Sequence, residues 1–202
     1  SLLLALSDLR KFYPKKFDIC AITVSLGFDG SDFTPMEELC KKINVDYHVI
    51  DTQIGEIIFD ARKESNPCSL CAKMRKGALN NKADELGCNK IALGHNRDDI
   101  IETFMMSLIF EARISTFQPV SFLEKKKLFS IRPLMYIPES DIKGYIRKNN
   151  LPIIKNPCPA NGNTKRQEMK ELIKDLCRKY DNADTKIFNA ISRSKIDGWN
   201  KE

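Results

Sequence analysis

Long apolar runs are absent from this chain of 202 residues. No stretch approaches the roughly 20 consecutive apolar residues of a membrane-spanning helix, which excludes a helical span. A secreted disulfide framework is also missing. The cysteines number seven, an odd count, and are scattered as Cys20, Cys40, Cys68, Cys71, Cys88, Cys158 and Cys177 with no signal-peptide pattern. A reducing cytoplasm is the expected compartment. Internal repeats and low-complexity segments are lacking too. At 42% hydrophobic and 30% charged residues, the composition is that of a folded protein rather than a disordered one.

Excess charge of either sign is absent from the first two-thirds of the sequence. Residues 1–139 carry 19 basic and 19 acidic side chains, whereas residues 140–202 carry 14 basic and 8 acidic. The whole net charge of +6 therefore falls in the last third. A neutral body with a cationic C-terminal part suits a polyanionic partner such as nucleic acid, although solvated Lys-rich helices give the same count.

The sequence opens on Ser1-Leu-Leu-Leu-Ala-Leu without an initiator Met. Ser1 reads as the N-cap of an apolar helix over residues 2–12, and a strand and turn are the expected predecessors. Strands are expected over 17–24, 45–50, 90–93 and 127–131, being short, apolar and rich in β-branched residues. Helices are expected from a Thr34 cap to Ile43, from Asn66-Pro67 to Leu86, from Ile100 to Phe110, from a Ser140 cap to Asn149, over 165–180 and over 186–194. The segment from Gln53 to Glu64 fits a helical turn and a loop. Alternating strands and helices imply an α/β fold with a parallel sheet covered on both faces, and ligands beyond the carboxyl ends of its strands. The loops at 25–32 and 94–99 and the turn before Ser1 are then the candidate sites.

Four groups of residues suggest chemistry. Cys68-Ser-Leu-Cys71 follows Asn66-Pro67, so both thiols fall early in a helix at i, i+3 spacing, where the helix dipole favours thiolates and Arg75 adds a cation. Such a pair can hold a metal, an iron–sulfur cluster or a redox disulfide, or be merely structural. Cys158, in Asn156-Pro-Cys-Pro159, is fixed on an extended turn by its prolines. In Gly94-His-Asn-Arg-Asp-Asp99, Gly94 permits close backbone approach, and Asp98 and Asp99 could hold Mg²⁺ that bridges phosphates. Helix capping by Asn96 or Asp98 explains the same residues without function. Arg166, Lys170 and Lys174 form a basic stripe at helical spacing, fit for a phosphate backbone or for solvent. His48, within a strand, reads as structural. Cys20, Cys40, Cys88 and Cys177 read as small buried hydrophobes.

Cys68-Ser-Leu-Cys71 with Arg75 and Gly77, Lys90-Ile-Ala-Leu-Gly-His-Asn-Arg-Asp-Asp99, Ile131-Arg-Pro-Leu134, and Cys158 eight residues before Arg166-Gln167 together resemble the PP-loop (N-type) ATP pyrophosphatase superfamily, specifically its tRNA 2-thiocytidine synthetase (TtcA) group. The resemblance implies a parallel-sheet three-layer α/β fold of the adenine nucleotide alpha-hydrolase type. The first strand and most of the phosphate loop would precede Ser1, the final serine of that loop. A polypeptide starting there is expected to bind ATP weakly. Residues 1–139 would form the ATP pyrophosphatase domain, and 140–202 a basic helical part carrying the third cysteine and tRNA-facing helices.

The implied reaction adenylates the C2 oxygen of an anticodon-loop cytidine with ATP and replaces AMP by sulfur. Ser1, Val24, Gly94 and His95 would bind ATP, Asp98 and Asp99 would bind Mg²⁺, and Asp99 and Arg75 would be catalytic. Cys68, Cys71 and Cys158 would hold a 4Fe–4S cluster, with zinc as the rival occupant. Arg166, Lys170 and Lys174 would meet tRNA. A sulfur donor, such as a cysteine desulfurase system, and a homodimer are further expectations. The alternatives are a thiouridine synthetase of the same superfamily, whose additional zinc-binding cysteine pairs are absent here, and a non-catalytic zinc-stabilised RNA-binding module. A lysidine synthetase lacks the cysteine triad.

Overall fold

The computed structural model describes residues 1–61, 67–154, 157–160, 162 and 164–199. Its elements run α1 (Leu2–Phe12), β1 (Cys20–Val24), α2 (Thr34–Lys42), β2 (Asp46–Ile50), α3 (Ile54–Glu56), α4 (Pro67–Glu85), β3 (Lys90–Ala92), α5 (Arg97–Phe110), β4 (Val120–Leu123), β5 (Leu128–Ile131), α6 (Glu139–Lys148), α7 (Lys165–Lys179) and α8 (Ala183–Arg193). They cluster into two compact units that interleave along the chain. One comprises Ser1–Asn89 and Gly144–Asn161, the other Lys90–Lys143 and Gly162–Glu202.

In the first unit, β1 and β2 pair in parallel with Cys20 opposite Asp46 and Val24 opposite Ile50. The ladder starts at Cys20, not at Phe17 as the apolar run predicts. The chain leaves α2 through Asn44 in the left-handed region (φ 53°), so β2 offers its first paired residue only at Asp46. Tyr47 donates its hydroxyl proton to Thr23 Oγ1 at 2.8 Å, locking neighbouring positions of the pair. Every residue of β1 is half-buried rather than buried on both faces. The buried apolar residues of this unit include Cys40, Val45, Ile54, Ile58 and Ala83. Within the stretch expected as a helical turn and loop, α3 is continued by a π-helical turn, Ile57–Ala61, and residues 62–64 lie outside the described residues.

The second unit holds a three-stranded sheet in the order β3–β5–β4. β3 and β5 are parallel, with α5 between them in sequence, while β4 and β5 form an antiparallel hairpin. Sequence patterning missed β4, because Val120, Ser121, Phe122 and Leu123 follow a turn-rich stretch and half of them face solvent. Helices α5, α7 and α8 pack together around Ile100, Ile101, Met135, Phe188, Ile191 and Trp199. The strands are predominantly parallel, so the α/β expectation holds, with the hairpin as the exception.

Candidate functional site

In the first unit, Pro67 opens α4 and places Cys68 and Cys71 in its first turns, as the spacing predicts. Cys68 is exposed, whereas Cys71 and Cys158 are half-buried. Burial pushes the Cys71 thiol up from its ordinary pKa. The Arg75 cation opposes this, and the charges of Cys158 and Cys68 add to the rise. Cys71 therefore senses both other cysteines, and the fold brings the triad expected from sequence into one neighbourhood. Among the described residues, no three His, Cys, Asp or Glu side chains form a ready-made ligand set for a metal ion. Asn66 and Asn156, which flank the two cysteine motifs, lie outside the described residues.

The other cysteines depart in part from expectation. Cys40 is fully buried, but Cys20, Cys88 and Cys177 are half-buried. The Cys20 and Cys88 sulfurs lie 3.7 Å apart. Desolvation, reinforced by Cys88, pushes the Cys20 thiol up to about 11.

On the same unit, Ser1 is the N-cap of α1, although its side chain makes no capping bond, and Val24 ends β1. The loop between β1 and α2 is shaped by close backbone approach. A Cβ on Gly27, which has φ +79°, would stand 2.6 Å from the Thr52 carbonyl oxygen.

The second unit carries Gly94 and His95 after β3, followed by α5. Asn96 is the N-cap of α5, and the helix begins at Arg97 rather than Ile100. Asp99 N–H donates to Asn96 Oδ1 at 3.1 Å, and Asn96 N–H donates to Asp99 Oδ2 at 2.9 Å. This reciprocal capping box occupies one oxygen of Asp99. Asp98 Oδ2 accepts the Glu139 N–H at 2.7 Å, so α6 starts at Glu139 under a carboxylate from α5, and Ser140 lies inside the helix. The capping role weighed for Asn96 is the one observed. Both aspartates anchor backbone while remaining at the head of a helix.

His95 stacks on Phe117, with ring centroids 4.2 Å apart and planes at 24°. Desolvation, with the nearby Arg132 cation, pushes its pKa down to about 4.

The basic stripe on α7 divides. Arg166 Nη1 meets Glu102 Oε2 at 2.9 Å and its Nη2 donates to Thr103 Oγ1 at 3.0 Å, tying α7 to α5. Lys170 Nζ meets Glu139 Oε2 at 2.7 Å. Lys174 is exposed and forms no ion pair among the described residues. Two of the three residues expected to face tRNA thus hold carboxylates within their own unit. Sequence reasoning missed Glu102, a buried acid inside an apolar helix, which was itself the available signal. It also missed Phe117, Asp197 and Trp199, which no local pattern marks.

A family model described as a PP-loop domain matches residues 1–176. The tRNA-cytidine(32) 2-sulfurtransferase of Pelobacter propionicus is 33% identical over 195 residues, covering 95% of this chain and 72% of that protein. This chain belongs to the PP-loop family, in its tRNA-cytidine(32) 2-sulfurtransferase group. The Pseudomonas syringae member is 34% identical over 188 residues, covering 92% of this chain and 69% of its own length. Among solved structures, the U34-tRNA thiolase NcsA from Methanococcus maripaludis, with its 4Fe–4S cluster, superposes with a TM-score of 0.76 at 24% identity. That match covers 95% of this PP-loop chain and 66% of NcsA. The likeness shows the shared three-layer α/β fold.

Proposed function

We propose that this PP-loop protein is a tRNA sulfurtransferase that carries out ATP-dependent thiolation of an anticodon-loop cytidine. ATP adenylates the C2 oxygen with loss of pyrophosphate, and sulfur then displaces AMP to give 2-thiocytidine. The observation that carries this reading is the convergence of Cys68, Cys71 and Cys158 in a chain of this family, with Arg75 acting on Cys71.

Three thiols, of which Cys71 feels the charges of the other two and of a guanidinium, are a donor set suited to a 4Fe–4S cluster with an open fourth position. Such a cluster, when bound, supplies an iron site for sulfur. The chain's own contribution is to offset part of the cost that burial places on the Cys71 thiolate. The head of α4 and Arg75 favour negative charge where burial of Cys71 opposes it. Mg²⁺ is commonly held by one or two carboxylates together with substrate phosphates. Asp98 and Asp99, adjacent at the head of α5, fit that pattern. Ser1, Val24, Gly94 and His95, the last neutral at ordinary pH, are the proposed ATP contacts. Of the three stripe residues, Lys174 is the one without a carboxylate partner among the described residues, and it is the proposed contact to tRNA phosphates.

The test pairs chemistry with product. Anaerobically reconstituted protein is expected to carry about four irons, lost on changing Cys68, Cys71 or Cys158 to Ala. Cells lacking the gene should lose 2-thiocytidine from tRNA. One tight zinc without iron would favour the RNA-binding module, and loss of a thiouridine would favour the thiouridine branch.

A further inference from the structure

Ile131-Arg-Pro-Leu134 supports the family resemblance, yet Arg132 has no task in the reaction as described. It follows the last residue of β5 in the second unit. Its guanidinium carbon lies 5.0 Å from the centroid of the Phe117 ring, and its Nη1 donates to the Gln118 carbonyl. Its Nε is buried without a hydrogen-bond partner, and among the described residues no carboxylate pairs with it.

Three other partly buried cations of the unit are neutralised. Arg97 meets Asp184 at 2.5 Å, Arg166 meets Glu102 at 2.9 Å and Lys170 meets Glu139 at 2.7 Å. Arg97 shares the unpartnered buried Nε, but its charge is answered by Asp184. Removing a guanidinium from water without a counter-charge is unfavourable, so Arg132 is the residue whose burial calls for an anion from outside the chain.

Its surroundings are built to hold that position. His95 stacks on the same Phe117 ring, and its Nδ1 is buried with no partner among the described residues. The platform beneath both is anchored from the C-terminal segment. Trp199 Nε1 donates to the Phe117 carbonyl at 3.0 Å. Asp197 Oδ2 accepts from Thr116 N–H at 2.7 Å and from Ser115 Oγ at 3.0 Å, while Thr116 Oγ1 donates to the Ile100 carbonyl at 2.8 Å. Residues 115–118 therefore have little freedom, and neither does the guanidinium that rests on them.

We propose that Arg132 is an anion-binding residue of this enzyme, its guanidinium receiving a substrate phosphate beside the His95–Phe117 stack. A planar fork of donors matches phosphate oxygens in a way a lysine does not. The phosphate belongs either to the nucleotide or to the tRNA backbone. The inference rests on the reading of the protein as an ATP- and tRNA-using enzyme and adds to it a residue and a ligand chemistry.

The variants are Arg132→Gln and Arg132→Lys, each checked for folding by thermal unfolding. Two quantities are measured: the KM for ATP, and the affinity for an unmodified tRNA transcript as a function of salt. A nucleotide phosphate predicts that Arg132→Gln raises the KM for ATP by about ten- to hundredfold, the size of a charge-assisted hydrogen bond, with the tRNA salt dependence unchanged. A tRNA phosphate predicts weaker tRNA binding, with the slope of log K against log salt smaller by about 0.7–0.9. In either case Arg132→Lys retains part of the lost affinity, and it carries the test if the Gln variant does not fold. Folded variants with both quantities unchanged overturn the proposal. A wild-type protein that binds ATP and tRNA but forms no thionucleoside would instead overturn the functional reading and leave Arg132 to be decided by the binding data.

Discussion

Replacing His95 by Gln tests whether the imidazole is shielded as tightly as its surroundings imply. Desolvation is the main cause of its depressed pKa, near 4. Arg132 and Arg166 add to the depression and Asp99 opposes it. An unfolded histidine titrates near 6.5, so between the two values the unfolded chain takes up a proton that the native state refuses. The sign follows. The neutral imidazole's contribution to stability is complete above about 6.5 and is lost as pH falls toward 4. At 1.36 kcal/mol per unit, the difference between pH 7.5 and pH 4.5 comes to about 2.5 kcal/mol. The assay is urea unfolding of wild type and His95→Gln at both pH values. Carboxylates common to the two proteins titrate alike and cancel in the difference. His95→Gln should be the weaker protein at pH 7.5, where the ring stack is lost, but should lose about 2.5 kcal/mol less on acidification. Equal losses in the two proteins would refute the reasoning, because the imidazole would then be taking up its proton without cost in the native state.

Arg166→Ala leaves the Glu102 carboxylate, whose side chain is 6% exposed, buried without its cation. A loss of about 3 kcal/mol in chemical denaturation is expected, most of it recovered by the additional change Glu102→Gln. Gly55→Ala would place a Cβ 2.6 Å from the Phe28 ring and 2.8 Å from the Leu26 carbonyl oxygen. The ring can turn but the carbonyl is fixed by accepting the Gly55 N–H, so urea unfolding should show a cost of about 1–3 kcal/mol. Burial raises the Cys71 pKa while Arg75 lowers it. Iron uptake in anaerobic reconstitution should therefore rise with pH, and Arg75→Gln should move that rise to higher pH, whereas superimposable profiles would deny Arg75 its role.

What the sequence made legible was local. The i, i+3 spacing of Cys68 and Cys71 and the proline before them fixed their place at the head of α4, and Gly-His-Asn-Arg-Asp-Asp announced a loop turning into a helix. What stayed hidden was long-range. That Asp98 caps α6 depends on a carboxylate meeting a backbone N–H 41 residues away. That Phe117 backs His95 depends on Trp199, 82 residues further on, holding its carbonyl. Neither relation leaves a periodicity or a motif. The late start of β1 has a similar origin, because strand length is set by the partner ladder and not by the apolar run itself.

The charge pattern changes meaning for the same reason. A basic last third beside a neutral body suggests a separate nucleic-acid surface, but its cations are not simply displayed to solvent. Arg166 reaches Glu102 and Lys170 reaches Glu139, while Asp184 in α8 returns the contact to Arg97. Within the second unit, these three pairs bind the basic helices to α5 and to the start of α6, and part of the apparent polyanion-binding surface is internal mortar. A partner phosphate must then be met by cations that have no carboxylate of their own. Among the described residues, Lys174 is one on the exposed side of α7, and Arg132, half-buried on the Phe117 platform, is another that the geometry singles out. Counting charges by sequence position would have ranked Arg166 and Lys170 first and passed over Arg132. Counting them by what already neutralises each one reverses that order.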